Sequence, residues 1–211
     1  MADKEILIFV EGPSDKVFLE AYLYFLEDIP IKNFKVKDVT GKDNLSKRLL
    51  EIEKYDKTLI IFDADKDYES NKKEILSKTQ QKITEEQIFL FPNNQDDGDL
   101  ETLLLEIAKH DEFLKCFEGY LECIKSKEHY KPIKNISKSK WYAYLEVFEL
   151  QNFFKDKRNK NDKKNEEKII IDDKGKIRKE YKEEYEKLKE VIDFSLNSLI
   201  PLKNFLGQFA K

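Results

Sequence analysis

Acidic side chains gather in three short stretches of this sequence. Glu11 and Asp15 lie in Val10-Glu11-Gly12-Pro13-Ser14-Asp15. Asp63, Asp65 and Asp67 alternate through Phe62-Asp63-Ala64-Asp65-Lys66-Asp67. Asp96, Asp97, Asp99 and Glu101 crowd Gln95-Asp96-Asp97-Gly98-Asp99-Leu100-Glu101. Each stretch follows a short apolar run. If those runs are parallel strands, the carboxylates meet at one sheet edge. Two like charges about 4 Å apart repel by about 4 kcal/mol at an effective dielectric of about 20. A hard divalent cation removes that cost. Mg²⁺, with Mn²⁺ as its substitute, takes carboxylate oxygen and keeps waters that a substrate phosphate replaces. The stretches contain no Cys or His, which argues against zinc. One or two such ions, activating a nucleophile and stabilising a leaving oxygen, suit phosphoryl transfer.

The elements that must position these acids alternate strand and helix. Ile6 to Val10 is a continuous apolar run, as in a strand buried on both faces. Gly12-Pro13-Ser14 breaks it, and Ser14 is a suitable cap for a helix from about Asp15 to Leu26. Phe34 to Val39 alternates apolar and charged residues, as a strand nearer a sheet edge does. Asn44 to Ile52 reads as helical. Thr58 to Phe62 is a second buried strand ending at Asp63, a polar helix spans Ser70 to Ser77, and Gln87 to Phe91 is a strand stopped by Pro92. Asp99 then opens a helix from Leu100 to Ala108. This order predicts an α/β fold: a mostly parallel sheet of about four strands flanked by helices. Ligands bind such sheets at the carboxyl ends of the strands.

The second half changes character. Asp111 to Lys127, Trp141 to Phe154, Lys179 to Phe194 and Leu196 to Phe209 read as helices. Glu128 to Ser139 is polar and interrupted by Pro132. Lys155 to Lys164 holds six Lys/Arg and two Asp/Glu in ten residues with no large apolar residue, so the charged segment near 155–168 reads as a solvated, flexible loop. Ile169 to Arg178 has the pattern of a small hairpin. The division expected is a catalytic core at 1–110 and a mainly helical extension at 111–211.

Composition limits the functions available. Lys+Arg 39 against Asp+Glu 43 gives a net charge of −4, so bulk charge does not draw the chain to nucleic acid. Binding there must come from local cations or through metal. Cys116 and Cys123 read as reduced, partly buried thiols. The N-terminus lacks a signal peptide and no apolar run reaches the ~20 residues of a membrane span, so a cytoplasmic protein is expected, with no membrane partner.

The Val10–Asp15 and Phe62–Asp67 segments resemble the Toprim domain shared by topoisomerases, primases, recombination-repair proteins and nucleases of the overcoming-lysogenization-defect (OLD) class. Its signature is a Glu after the first strand and an Asp-x-Asp after the third. The resemblance covers about Glu5 to Ala108. Glu-Gly-x-x-Asp is closest to OLD-type nucleases and to small stand-alone Toprim proteins of unassigned function, which the Asp-Gly-Asp-Leu-Glu-x-Leu-Leu run also resembles. Asp-Ala-Asp-x-Asp is similar to type II topoisomerases, and Val39-Thr40-Gly41-Lys42 sits where the family has a Gly-containing turn.

The resemblance implies Mg²⁺-dependent phosphodiester chemistry on nucleic acid, a nuclease or nicking activity. Glu11 becomes general acid/base or metal ligand, and Asp63 and Asp65 metal ligands. Asp15 with one or more of Asp97, Asp99 and Glu101 would hold a second ion, and Asp67 joins the candidate ligands. The catalytic Lys that OLD-type nucleases place beyond the fourth strand corresponds to Lys138 or Lys140, Lys140 being preferred. Lys16, Lys42, Lys66 and Lys138 are the expected nucleic-acid contacts. The chain is too short for topoisomerase or primase machinery, and it lacks the Gly-x-x-x-x-Gly-Lys-Ser/Thr phosphate loop of an ATPase. The expected partners are nucleic acid, DNA ahead of RNA, a separately encoded ATPase and a second copy of the chain. Two rival functions stay open: a non-cleaving binding or regulatory module beside such an ATPase, and a small-nucleotide phosphohydrolase.

Several of these residues also admit plain structural roles. Asp99 is a good helix N-cap and Glu101 a favourable first-turn acid. Asp15 suits a helix dipole, and Asp67 an exposed turn. Trp141, Tyr142 and Tyr144 either stack bases or pack a helix on the sheet.

Overall fold

In the computed structural model, residues 6–26, 31, 34–129, 131, 133–154 and 182–209 are described. Strand β1 (Ile6–Val10) is fully buried from Leu7 onward, as its unbroken apolar run requires. Helix α1 (Pro13–Phe25) follows after Gly12. Strand β2 (Phe34–Asp38) is only partly buried, and two helical turns follow it: a 3-10 turn over Lys42–Arg48 and α2 (Leu49–Ile52). Then come β3 (Lys57–Asp63), α3 (Tyr68–Lys78), β4 (Ile88–Phe91) and α4 (Leu100–Glu106). The rest is helical: α5 (Asp111–Lys125), α6 (Ile136–Val147), α7 (Gln151–Phe154), α8 (Lys182–Val191) and α9 (Ile200–Gly207).

The sheet is parallel throughout, in the order β2-β1-β3-β4. Side chains alternate across it, so each strand serves two cores. Ile8, Val10, Leu59, Ile61, Phe89 and Phe91 face α1 and α4. Leu7, Phe9, Ile60, Phe62, Ile88 and Leu90 face Leu45, Ile52 and Ile75 on the other side. The C-terminal helices close the first of these cores with Trp141, Tyr144, Leu145, Phe154, Tyr185, Leu188, Leu202 and Phe205. The two halves are further tied by backbone bonds, Lys109 N–H to the Val191 carbonyl at 2.9 Å and Asp193 N–H to the Ile107 carbonyl at 2.8 Å.

The structure moves some sequence-based boundaries. Ser14 does not cap α1. Gly12 occupies that position, Pro13 follows, and the Asp15 carboxylate reaches back to accept the Gly12 N–H, which is half of a capping box. Helix α6 begins at Ile136, five residues before Trp141, and ends at Val147; Glu149, with a φ of 59°, separates it from α7. The segment after Gly41 is largely 3-10 rather than α. Cys116 and Cys123 are free and exposed rather than partly buried. The charged loop and the hairpin expected between 155 and 178 lie outside the described residues. No described helix is long and apolar enough to cross a membrane.

Candidate functional site

The chain runs from β1 outward to β2 and then returns to place β3 on the opposite flank of β1. Such a reversal opens a crevice at the strand carboxyl ends, between β1 and β3. Glu11 immediately follows β1 and Asp63 ends β3, so the two acids stand at the mouth of that crevice. Two helices bring in further acids. Asp15 lies on the first turn of α1, 8% exposed, and Glu101 on the first turn of α4, 7% exposed.

These four carboxyls form one electrostatic cluster. Burial raises Glu11 above its ordinary value; the Lys42 ammonium opposes the shift and Asp65 adds to it. Burial pushes Asp15 up to about 7, with Glu11 and Glu101 adding repulsion and the Gly12 N–H and Lys138 opposing. Asp63 is raised well above the usual carboxylate range, first by burial and then by Asp15 and Glu11. Glu101 is raised by burial, against the pull of Lys138. Removing acids from water favours their neutral forms, and like charges deepen the effect. One Glu11 oxygen, Oε2, is buried without a hydrogen-bond partner.

Local bonds fix the carboxylates. Asp15 Oδ2 accepts the Gly12 N–H at 2.7 Å, and Asp63 Oδ1 accepts the Leu100 N–H at 2.8 Å. Asp65 has a left-handed backbone, φ 53°. It is stapled to Gly98 by two reciprocal N–H···O bonds, each 2.7 Å. Gly98 itself sits at φ 145°, where a Cβ would come within 3.0 Å of Pro92 Cδ, so the Asp-Gly-Asp stretch needs glycine there. The Asp65 side chain, 54% exposed, points to Lys42, whose Nζ is 2.8 Å from Oδ2. Asn71 accepts a further bond from that ammonium and donates to the Ala64 carbonyl.

The other sequence candidates fall elsewhere. Asp67 Oδ1 caps α3 through the Ser70 N–H, and Asp97 supports the same helix end through the Tyr68 N–H. Asp99 caps α4, accepting from both the N–H and the hydroxyl of Thr102. Asp96 accepts from Asn93. Their carboxylates are bonded to turns and helix ends, although the Asp99 charge still adds to the upward shift of Glu101. Of the two lysines on α6, Lys138 reaches the cluster, 3.8 Å from Glu101. Lys140, the lysine preferred from sequence, instead pairs with Glu118 of α5 at 2.6 Å. Lys16 lies 3.9 Å from Glu20 of the same helix, and Lys66 is exposed in the turn after Asp65. Trp141 and Tyr144 are buried core, and Tyr142 bonds the Ser14 hydroxyl at 3.1 Å, which favours packing over base stacking. Asn71 and the buried Glu20 were not identified from sequence; neither belongs to an acidic motif.

An all-oxygen donor set with an orphaned buried Glu11 oxygen suits a hard divalent cation in its chemistry. Among the described residues, though, no three His, Cys, Asp or Glu side chains form a group arranged to hold an ion. Asp65 is held by Lys42, while Asp15 and Asp63 each hold a backbone N–H.

A family model described as a protein of unknown function, DUF3226, matches residues 5–171, and the chain belongs to that family. No curated protein and no solved structure matches it.

Proposed function

We propose that this member of the DUF3226 family cleaves phosphodiester bonds in nucleic acid with a divalent cation, Mg²⁺ or Mn²⁺. The observation that carries the reading is the gathering of Glu11, Asp15, Asp63 and Glu101, from two strand ends and two helices, into one largely buried cluster, Asp15 and Glu101 innermost and Glu11 and Asp63 at its half-buried edge, whose carboxyls all lie above their ordinary values. Acids brought together at such a cost are expected where function requires them. The Toprim resemblance of the same two strand ends supports the reading.

Glu11 and Asp63 would hold the ion, with Asp65 joining them if Lys42 lets go. The bound ion supplies neutralisation of phosphate charge and a more acidic water. The protein groups supply positioning and proton handling. Asp15, raised by burial and by the neighbouring Glu11 and Glu101 carboxyls, is the acid of the cluster that would exchange a proton with substrate or water. Lys138 is 54% exposed beside Glu101 and is the cation best placed to meet a substrate phosphate. Glu11 offers a buried acceptor, Oε2, without a hydrogen-bond partner.

The test is cleavage of plasmid and single-stranded DNA by the purified chain, with Mg²⁺, with excess chelator, and with Asp63→Asn. The reading predicts cleavage in the first case alone. Equal cleavage in all three overturns it. The capture of Asp65 by Lys42 favours a second reading, a regulatory module that binds phosphate without cutting, beside a separate ATPase. Salt-sensitive DNA binding without cleavage under any metal would select that one.

A further inference from the structure

Lys42 is presented to the crevice by a rigid turn. Val39 N–H donates to the Val10 carbonyl at 3.0 Å and Gly41 N–H to the Glu11 carbonyl at 2.9 Å, so the turn is bonded to the end of β1. Thr40 and Gly41 both have positive φ, 60° and 98°, which reverses the chain sharply and sends residue 42 back over the strand ends. The opposing wall is equally fixed, with Asp65 stapled to Gly98 and Asn71 bonded to the Ala64 carbonyl. The ammonium therefore sits between Asp65 and Asn71, with its side chain only 13% exposed. Its charge also acts on Glu11, so it serves both ends of the Glu11–Asp65 pair.

We propose that Lys42 is a tethered counter-cation: it occupies the Asp65 side of the crevice, excludes a divalent ion from it, and is drawn off by a substrate phosphate, which couples metal loading to substrate binding. This rests on the metal reading above. An ammonium and a divalent ion repel and compete for the same carboxylate oxygens. A phosphodiester anion offers the ammonium a replacement partner and the ion an additional oxygen ligand. Metal and substrate are then positively linked, each raising the affinity for the other by the same factor.

The experiment is Mn²⁺ titration by calorimetry of wild type, Lys42→Met, Lys42→Gln and Lys115→Met, with and without a single-stranded DNA oligonucleotide. Lys115 pairs with Asp111 on α5 and controls for the loss of one positive charge; thermal melting verifies that each variant is folded. Without DNA, both Lys42 variants bind Mn²⁺ about tenfold or more tightly than wild type, and Lys115→Met binds within about twofold. Adding DNA tightens Mn²⁺ binding by wild type more than by the Lys42 variants, in which only the added phosphate ligand remains to favour the ion. Equal or weaker Mn²⁺ binding by both folded Lys42 variants overturns the counter-cation and leaves the metal site standing. Absence of Mn²⁺ binding in every protein, with or without DNA, overturns the metal reading and the counter-cation with it.

Discussion

Asp15 Oδ2 accepts the backbone N–H of Gly12 at 2.7 Å, so one carboxylate both caps α1 and belongs to the acidic cluster. The two roles respond differently to pH. Asp15 is raised from 3.8 to about 7. Its contribution to stability is therefore complete below about pH 4 and is lost as the pH rises through about 7, where the buried carboxyl must ionise. An asparagine keeps an oxygen acceptor for Gly12 and never ionises. Asp15→Asn is expected to melt several degrees above wild type at about pH 8, with the difference disappearing near pH 4. Thermal melts across that range check the sign.

Glu20 provides the same test away from the cluster. It is 3% exposed, its Oε2 lacks a partner, and burial raises it from 4.5 to about 8 against the opposing pull of Lys16. Its stabilising contribution is whole below about pH 4.5 and is lost by about pH 8, at a cost on the order of 4 kcal/mol. Glu20→Gln should raise the melting temperature at about pH 8 by about 5 °C or more while leaving it unchanged at about pH 4.

The two α6 lysines separate by function. Lys138→Ala is expected to weaken DNA binding across sequences and to reduce the slope of log affinity against log salt by about 0.7–0.9. Lys140→Ala removes a pair to an exposed Glu118, and its DNA affinity and salt slope should match wild type. Fluorescence anisotropy at several salt concentrations reads both.

Gly98→Ala places a methyl 3.0 Å from Pro92 Cδ and 3.3 Å from Thr102 Oγ1, at a φ of 145°. A cost of about 1–3 kcal/mol is expected in chemical denaturation. Because Gly98 holds the backbone of Asp65 through two hydrogen bonds, the variant should lose DNA cleavage even at temperatures where it remains folded.

The parallel sheet was legible because Ile6–Val10, Leu59–Phe62 and Ile88–Phe91 are continuous apolar runs too short for helices and bounded by turn residues, as strands buried on both faces are. The convergence of Glu11, Asp15, Asp63 and Glu101 followed from their places at strand ends and first helical turns. The finer division of labour did not. Asp67 and Asp99 have the same composition and spacing as ligands and as caps, and only the structure shows that they cap α3 and α4 through the N–H groups of Ser70 and Thr102. Lys138 and Lys140 differ by two positions on one helix, or about 200° around its axis, so only the packing of α6 against α4 and α5 tells them apart. The bond from Lys42 to Asp65 spans two loops and leaves no periodic trace in the sequence.

A crystal grown or soaked with Mn²⁺ and DNA, with data collected at the manganese absorption edge, tests the central claim most directly. The account predicts an anomalous peak bonded to Glu11 and Asp63, with Lys42 moved off Asp65. Manganese bound only elsewhere on the surface, with Glu11 and Asp63 unliganded beside bound DNA, would contradict it.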